Sequence, residues 1–225
     1  MKTKFLLLLF LFATSFIPIT GQIGVGAKAG VYLPVAELAK SYNTGYGGEA
    51  AFIYRFNPDF EVSLVGGMSF YNADEEELKQ RLHEKYSEII GEVNIDAEIN
   101  VEAPLNVYPL MFNIKYLFGK KKFKPYFFFE GGIFFYDLTY KGSIKIINGP
   151  EVDLPEPIEK RSSTTLALGG GFLSSLTKKL FLNVKAKWGI MNNIRLVEED
   201  TNEEIPGVDK TAQTISLSAG LNYYF

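Results

Sequence analysis

The sequence predicts an all-β fold: eight antiparallel strands closed into an up-and-down transmembrane β-barrel, with a short helix in the second extracellular loop. Three observations lead to this prediction. Apolar and polar residues alternate over stretches long enough for a tilted strand to cross a bilayer, which takes about 9–11 residues. The connections between these stretches alternate between short and long. Aromatic residues gather near the strand ends, where membrane barrels carry aromatic girdles.

The alternation is cleanest in the final stretch, Thr214 to Phe225. Its apolar residues, from Ile215 to Phe225, occupy every second position, and the positions between them are mostly small or polar. Successive side chains of a strand point to opposite faces. The stretch therefore predicts a strand with one face toward lipid and the other toward the barrel interior.

Seven further strands are predicted from the same alternation. They lie at Gln22–Tyr32, Gly47–Phe56, Phe60–Tyr71, Asn106–Phe118, Pro125–Tyr140, Thr164–Leu176 and Leu180–Ile194. Pro109 falls on the inward-facing set of the fourth strand. Because proline cannot donate to a strand ladder, we expect a local bulge or a slip in pairing there.

The connections predict the orientation of the barrel. Three are short, at Asn57–Asp59, Gly119–Lys124 and Thr177–Lys179, and their charges are mainly lysines. The longer connections carry about twice as many acidic as basic residues. Simple solvation of loops is the plainer explanation of this charge. The segregation nevertheless fits a molecule held across a membrane, with its long loops outside.

The longest connection has its own pattern. Asp74 with Glu77 indicates a capping box, and the apolar spacing that follows predicts a helix to about Ile90. From Val93 to Val101 apolar and polar residues alternate again. We expect this segment to continue the fourth strand beyond the membrane.

The N-terminal 21 residues predict a secretory signal peptide, so the barrel domain is 22–225. Lys2 and Lys4 precede the apolar segment Phe5–Ile19, and Thr20 with Gly21 offers a small-residue cleavage site. An anchor helix is the alternative. The chain contains no cysteine, which excludes disulfides and thiolate chemistry and suits passage through an oxidising periplasm.

Charged residues fall on the inward-facing positions of the predicted strands. They are Lys28, Glu49, Arg55, Glu61, Lys115, Glu130, Lys185 and Lys187. The interior of an eight-stranded barrel is only wide enough to be filled by side chains. We therefore predict a lumen charge network that pairs across the barrel. A gated path for protons or ions is the alternative.

Other candidate sites carry less information. His83 and Ser87 share a face of the predicted loop helix and could suggest an acyl hydrolase, but neither a third catalytic group nor an oxyanion hole is visible. Glu198–Asp200 and Glu203–Glu204 could hold Ca²⁺ or Mg²⁺, yet they lack the glycine spacing of a dedicated loop. Gly169–Gly171 lies inside a strand, unlike a phosphate loop. We predict no catalytic residue, no metal site, no cofactor and no nucleic-acid partner.

Several segments resemble the small outer-membrane β-barrel family, the OmpA- and OmpX-type eight-stranded barrels, and especially variants of Bacteroidetes-type bacteria. The matching segments are the signal followed by Gln22–Gly30, Tyr108–Leu110 leading to Ile114–Tyr116, Lys124–Tyr126 followed by Glu130–Gly132, and the terminal Tyr223–Phe225. The resemblance implies a location in the bacterial outer membrane. It also implies that Tyr223 and Phe225 form an assembly signal read by the barrel assembly machinery.

The family contains adhesins, structural anchors, small porins and a few lipid-modifying enzymes, so the resemblance leaves the activity open. We expect a non-enzymatic integral outer-membrane protein with a charge-filled lumen and acidic surface loops for envelope or adhesion interactions. Outer-membrane lipid and lipopolysaccharide are the expected partners, and a monomer is the expected state. A narrow pore for small solutes and a lipid-modifying enzyme are the alternatives.

Overall fold

The computed structural model describes residues 21–74, 76, 97–119, 122–139, 141–146, 151–153, 158–196 and 208–225. Strands dominate these ranges. They are β1 (Gln22–Val35), β2 (Gly45–Asn57), β3 (Phe60–Tyr71), β4 (Ala97–Glu102), β5 (Leu105–Leu117), β6 (Phe123–Thr139), β7 (Lys141–Ile146), β8 (Glu151–Asp153), β9 (Ile158–Ser175), β10 (Leu180–Leu196) and β11 (Val208–Tyr224). A 3-10 helix, Ala36–Lys40, follows β1.

Eight of the strands form a closed antiparallel barrel. Around the barrel the order is β1, β2, β3, β5, β6, β9, β10 and β11, and β11 returns to pair with β1. Gly24 stands opposite Tyr224 at this closure. The connections β2–β3, β5–β6 and β9–β10 lie at one end, which we call the short-turn rim, and the opposite end is the long-loop rim. The predicted eight-stranded antiparallel up-and-down barrel is confirmed.

Several strands are longer at the long-loop rim than the alternation predicted. β1 extends to Val35, β9 begins at Ile158 and β11 begins at Val208. These additions lie beyond the region where one face must be apolar, so their sequence does not alternate. At the other rim the predicted three-residue turn is wrong. β2 continues to Asn57 with a register shift after Arg55, and the Asn57 Oδ1 accepts a 2.9 Å hydrogen bond from the Asp59 N–H.

The expected bulge or slip at Pro109 is also wrong. Its strand keeps one register with β3 on both sides of the proline, from Leu110 opposite Gly66 to Val107 opposite Ser69. On the other side Pro109 stands in register opposite Phe134 of β6. The sheet thus accommodates the missing N–H by leaving Gly67 and Met68 unpaired with β5, rather than by inserting a residue.

A second sheet extends beyond the barrel. β4 and β7 pair antiparallel from Glu102 opposite Lys141 to Ala97 opposite Ile146, and β8 adds to β7. The hairpin of β5 and β6 therefore continues outward as β4 and β7. This agrees with the strand expected to prolong the fourth barrel strand. Apart from Asp74 and Glu76, the helix predicted from Asp74 to Ile90 lies outside the described residues.

The two faces of the barrel differ as the alternation requires. Large apolar side chains point outward around the barrel, and Phe127 (66% exposed) and Leu217 (56%) are typical. Aromatic rings pack on one another near the short-turn rim, as in the edge-to-face contact of Tyr116 with Phe118 at 5.0 Å. An apolar outward band with an aromatic girdle is the surface that a bilayer solvates.

None of the helices that the structure describes is long and apolar enough to cross a membrane.

Candidate functional site: the barrel lumen

The structure places all eight predicted lumen residues inside the barrel. Lys28, Glu49, Arg55, Glu61, Lys115, Glu130, Lys185 and Lys187 each have no more than 9% of their surface exposed. The residues directly before and after each of them in the strand are apolar or glycine and face outward. Because successive side chains of a strand point to opposite faces, the charged side chain faces inward. The side chains form two groups at different heights in the barrel.

The first group, the short-turn cluster, is built around Glu61 and contains Arg55, Lys115 and Tyr224. Arg55 stands opposite Glu61 on the neighbouring strand, and Glu61 stands opposite Lys115 on the next. Arg55 donates to Oε1 of Glu61 through Nε at 2.7 Å and also through Nη2. Lys115 donates to Oε2 at 3.0 Å, and the Tyr224 hydroxyl donates to Oε1 at 2.7 Å. The Glu61 carboxylate thus joins its own strand, β3, to side chains from three others, β2, β5 and β11.

The second group, the central cluster, contains Lys28, Glu49, Glu130, Lys185 and Lys187. Lys185 contacts Glu49 at 3.2 Å and also donates to Glu130. Lys187 donates to Glu49 and lies 3.5 Å from Glu130. Lys28 lies 3.6 Å from Glu49. The contacts of Lys185 join β10 to β2 and β6, which are not its neighbours in the barrel, so this cluster ties separate parts of the wall together across the lumen.

Aromatic rings complement the buried cations. The Arg55 guanidinium lies 3.9 Å from the ring centroid of Tyr224. The ammonium groups of Lys115 and Lys185 lie 4.7 and 4.6 Å from the rings of Tyr126 and Phe128. A ring face attracts a cation more strongly where water is excluded. These contacts offset part of the cost of burying more cations than carboxylates.

A cavity of about 10 Å³ separates the two clusters. Its wall includes Lys28, Lys115 and Lys185, together with Asn113 and Glu130. Asn113 donates a 2.8 Å hydrogen bond to Glu130, while its own Oδ1 has no partner within the described structure. The space is sufficient for about one water-sized particle.

Apolar side chains close the long-loop end of the lumen. This outer apolar cluster comprises Tyr32, Leu38, Tyr42, Tyr71, Ala73, Ala103, Leu105, Val107, Phe134, Tyr136, Leu138, Met191, Ile194 and Ala212. Leu38 projects from the 3-10 helix and is fully buried, as are Phe134 and Tyr136, whose rings stack at 5.8 Å. Sequence reasoning missed this cluster, although the alternation assigns Phe134 to the inward-facing set.

An ionic clasp fixes the 3-10 helix at this rim. Glu37 accepts a 2.9 Å hydrogen bond from Lys40 and a 3.3 Å hydrogen bond from Lys210 of β11. The hydrogen bond from Lys40, followed by that from Lys210, lowers the pKa of the Glu37 carboxyl from its usual value. The helix that carries Leu38 is therefore tied to the closing strand of the barrel.

The remaining predicted positions are distributed as follows. Tyr223 and Phe225 point toward lipid at the short-turn rim, with their rings edge to face at 5.4 Å. The Phe225 N–H donates to the carbonyl of Ile23 at 2.9 Å. Gly169–Gly171 lies within β9. His83, Ser87 and the acidic residues between Glu198 and Glu204 lie outside the described residues.

Comparison with known proteins supports the fold and goes no further. No protein-family model and no curated protein matches the sequence. Among solved structures, a major outer membrane protein from Thermus thermophilus is 13% identical with a TM-score of 0.52, covering 92% of this chain and 100% of its own. Neisserial surface protein A is 13% identical with a TM-score of 0.47, and the match covers 90% of this chain and 97% of that protein. OprG from Pseudomonas aeruginosa is also 13% identical with a TM-score of 0.47, and the match covers 91% of this chain and 96% of OprG.

At such low identity the likeness to the Thermus thermophilus protein shows the fold alone. It agrees with the closed eight-stranded topology and with the apolar outward band of this chain. The chain therefore has the fold of an eight-stranded outer-membrane β-barrel.

Proposed function

We propose that this outer-membrane protein is a non-enzymatic barrel whose closed lumen serves as a rigid membrane anchor for its long loops. In this proposal the loops make the functional contacts, with lipopolysaccharide or with surfaces outside the cell. The observation that carries the proposal is the filling of the lumen from one end to the other. Two ionic clusters occupy the short-turn and central levels, and the outer apolar cluster occupies the long-loop end.

A filled lumen supports an anchor better than a transporter. Solutes crossing the barrel would have to separate Lys185 from Glu49 and Glu130, and then displace Phe134 and Tyr136, which are fully buried. Breaking buried pairs of this kind costs about 3–5 kcal/mol each. The second sheet supports the same function from outside, because β4 and β7 carry the barrel wall outward beyond the membrane.

Conductance tests the closed lumen directly. Purified protein reconstituted in planar bilayers should give no reproducible single-channel step, because no continuous polar path is open. A stable step of uniform size would favour the second candidate function, a narrow pore for small solutes. That candidate is supported by the charged lining of the central cluster.

Loop replacement tests where the function resides. We expect that replacing residues 77–96 with a short Gly-Ser linker leaves the heat-dependent gel shift of a folded barrel unchanged. The same replacement should abolish the binding of whole cells to lipopolysaccharide or to surfaces outside the cell. An equal replacement at residues 201–207 is the matched control, because it alters a different loop. Binding that survives both replacements would contradict the proposal.

Incubation with lipopolysaccharide, with His83→Ala as the control, tests the lipid-modifying alternative by mass spectrometry of lipid A.

A further inference from the structure

One backbone carbonyl in the barrel wall lacks the partner that the strand register assigns to it. In the ladder between β3 and β5, the Leu117 N–H donates to the Asp59 carbonyl at 2.7 Å. Hydrogen-bonded pairs recur at every second residue of an antiparallel ladder, so Gly67 and Pro109 form such a pair in the same register. Pro109 has no N–H to donate. The ladder is interrupted at Gly67, and its carbonyl is left without this donor.

The unpaired carbonyl lies in a part of the wall that hydrocarbon surrounds. The outward side chains of Leu64 and Leu110, on either side of it, are apolar and exposed. Hydrocarbon supplies no donors, so a backbone group without a partner is costly at this depth. Gly66 contributes no side chain to cover the site from outside, and a methyl group placed on it would meet no atom within 4 Å. A donor that approaches from the lipid side would therefore relieve the cost.

The unpaired carbonyl adjoins a groove in the outer face of the wall. This wall groove has a volume of about 670 Å³ and is formed by β1, β2 and β3. Its floor consists of small residues, among them Ala29, Gly48 and Ala50, where other outward positions carry large apolar side chains. Tyr46 and Phe70, whose ring centroids lie 5.8 Å apart, form its end at the long-loop rim. The groove thus offers an apolar channel with one hydrogen-bond acceptor in its wall.

The position of the groove identifies its occupant. It lies in the half of the wall nearer the long-loop rim, which faces outside because outer-membrane barrels place their short turns in the periplasm. The lipid on the outer side of an outer membrane is lipopolysaccharide, and its lipid A carries hydroxyl and amide groups near the upper ends of the acyl chains. The chain region of a phospholipid offers only ester oxygens, which are acceptors. Lipid A can therefore both fill the groove and donate to the carbonyl of Gly67.

We propose that the wall groove binds one acyl chain of lipid A, with a hydroxyl or amide group of the lipid donating to the Gly67 carbonyl. Tyr46 and Phe70 lie where the chain joins the head group, a depth that aromatic side chains favour. The inference goes beyond the proposed function, because the wall of the barrel contacts the lipid and a loop does not. The wall recognises the acyl portion of a molecule whose sugars extend toward the long loops.

Native mass spectrometry of the purified protein tests this proposal, with each variant verified as folded by its heat-dependent gel shift. We expect one lipid A molecule to stay bound under conditions that remove phosphatidylethanolamine of equal chain length. Gly66→Leu fills the groove and should lower the bound fraction several-fold. Ala186→Leu is the matched control, because it adds the same side chain at an exposed position of β10, opposite β3 in the barrel. Pro109→Ala supplies the missing N–H and should remove the preference for lipid A.

Three results would overturn the proposal: equal retention of the two lipids by the unaltered protein, full retention of lipid A by Gly66→Leu, or an unchanged preference in Pro109→Ala. If Gly66→Leu fails to fold, nuclear magnetic resonance of the unaltered protein with labelled methionine methyl groups decides. The signal of Met68, which lines the groove, should shift saturably as lipid A is added to nanodiscs, and that of the buried Met111 should not. An unmoved Met68 signal would refute binding in the groove.

Loop replacement separates this proposal from the proposed function. A chain with residues 77–96 replaced keeps the groove, so it should retain lipid A as the unaltered protein does. Loss of lipid A from that chain would assign the contact to the loop and overturn the inference. Retention of lipid A together with unchanged binding of whole cells would instead contradict the proposed function and leave the groove supported.

Discussion

At the scale of single residues, Glu61 is the side chain on which most lumen contacts depend. Its two oxygens receive hydrogen bonds from Arg55, Lys115 and the hydroxyl of Tyr224, all of them buried. Removing one partner of a buried ion pair leaves the others charged and unsolvated. The cost of the change then comes mainly from the groups left behind.

We therefore predict that Glu61→Gln lowers the free energy of unfolding by about 3–5 kcal/mol. Urea-induced unfolding in liposomes measures this. The matched control is Asp137→Asn, whose partner Lys160 lies 4.0 Å away and is largely exposed, and it should cost less than about 1 kcal/mol. Adding Lys115→Met to Glu61→Gln should recover part of the loss. Similar free energies of unfolding for Glu61→Gln and Asp137→Asn would show that the short-turn cluster contributes little to the stability of the barrel.

Two glycines provide a second contrast between inside and outside. A methyl group at Gly169 would collide with the carbonyl of Ala186 and come within 2.9 Å of the Phe128 ring. At Gly66 it would meet nothing within 4 Å. We predict that Gly169→Ala costs about 1–3 kcal/mol through overpacking, whereas Gly66→Ala is nearly neutral. Folding yield and thermal midpoint in detergent provide the measurement, and equal effects would contradict the packing of β9 against β6 and β10.

At the scale of elements, the 3-10 helix Ala36–Lys40 acts as the lid of the lumen. Leu38 inserts into the outer apolar cluster, while Glu37 is held by Lys40 and Lys210. The lowered pKa of Glu37 gives the sign of its pH dependence. The carboxylate contributes to holding the helix at pH values above its ordinary, unfolded pKa, and this contribution is lost as pH falls through the lower pKa of the folded state.

The corresponding prediction concerns hydrogen exchange at the rim. The amide of Tyr42, which donates to the Leu38 carbonyl at 3.1 Å, should exchange faster as pH falls through the Glu37 pKa, after correction for intrinsic rates. Glu37→Gln should exchange faster at neutral pH and lose the pH dependence. Protection that is the same in both proteins across this range would mean that packing of Leu38 alone holds the helix.

At the scale of the whole molecule, closure depends on the pairing of β11 with β1. Phe225 adds a hydrogen bond to Ile23 just beyond the strand and exposes 63% of its surface on the lipid side. We predict that a chain ending at Tyr224 reaches the outer membrane at strongly reduced levels, because Phe225 belongs to the predicted assembly signal. Immunoblots of membrane fractions measure this, with Phe225→Tyr as the conservative control. Normal levels of the shortened chain would refute that role.

The sequence predicted the barrel well because a strand has a period of two. Alternation assigned Lys185 and Lys187 to the lumen, and both side chains are buried there. Hairpin neighbours such as Arg55 and Glu61 also follow from the short turn between their strands. These features depend on local spacing only.

The sequence predicted which side chains face the lumen, but it could not predict at which level along the barrel axis they lie. Period two places Tyr32, Tyr71 and Phe134 inward but does not say that they meet at one level, since that requires the register of distant strands. The contact between Lys185 and Glu49, which are 136 residues apart in the chain, could not be predicted for the same reason. The 3-10 helix was also missed, because a single turn has too few residues to display a period.

The outward continuation of β5 and β6 as β4 and β7 has a mechanical consequence. A pull on the outer ends of β4 and β7, directed away from the cell, acts parallel to the strands and loads the ladders to β3 and β9 in shear. In that geometry the interstrand hydrogen bonds share the force and rupture together rather than unzipping one at a time. A force applied by a surface partner bound to these strands would thus be resisted by hydrogen bonds along the whole height of the barrel.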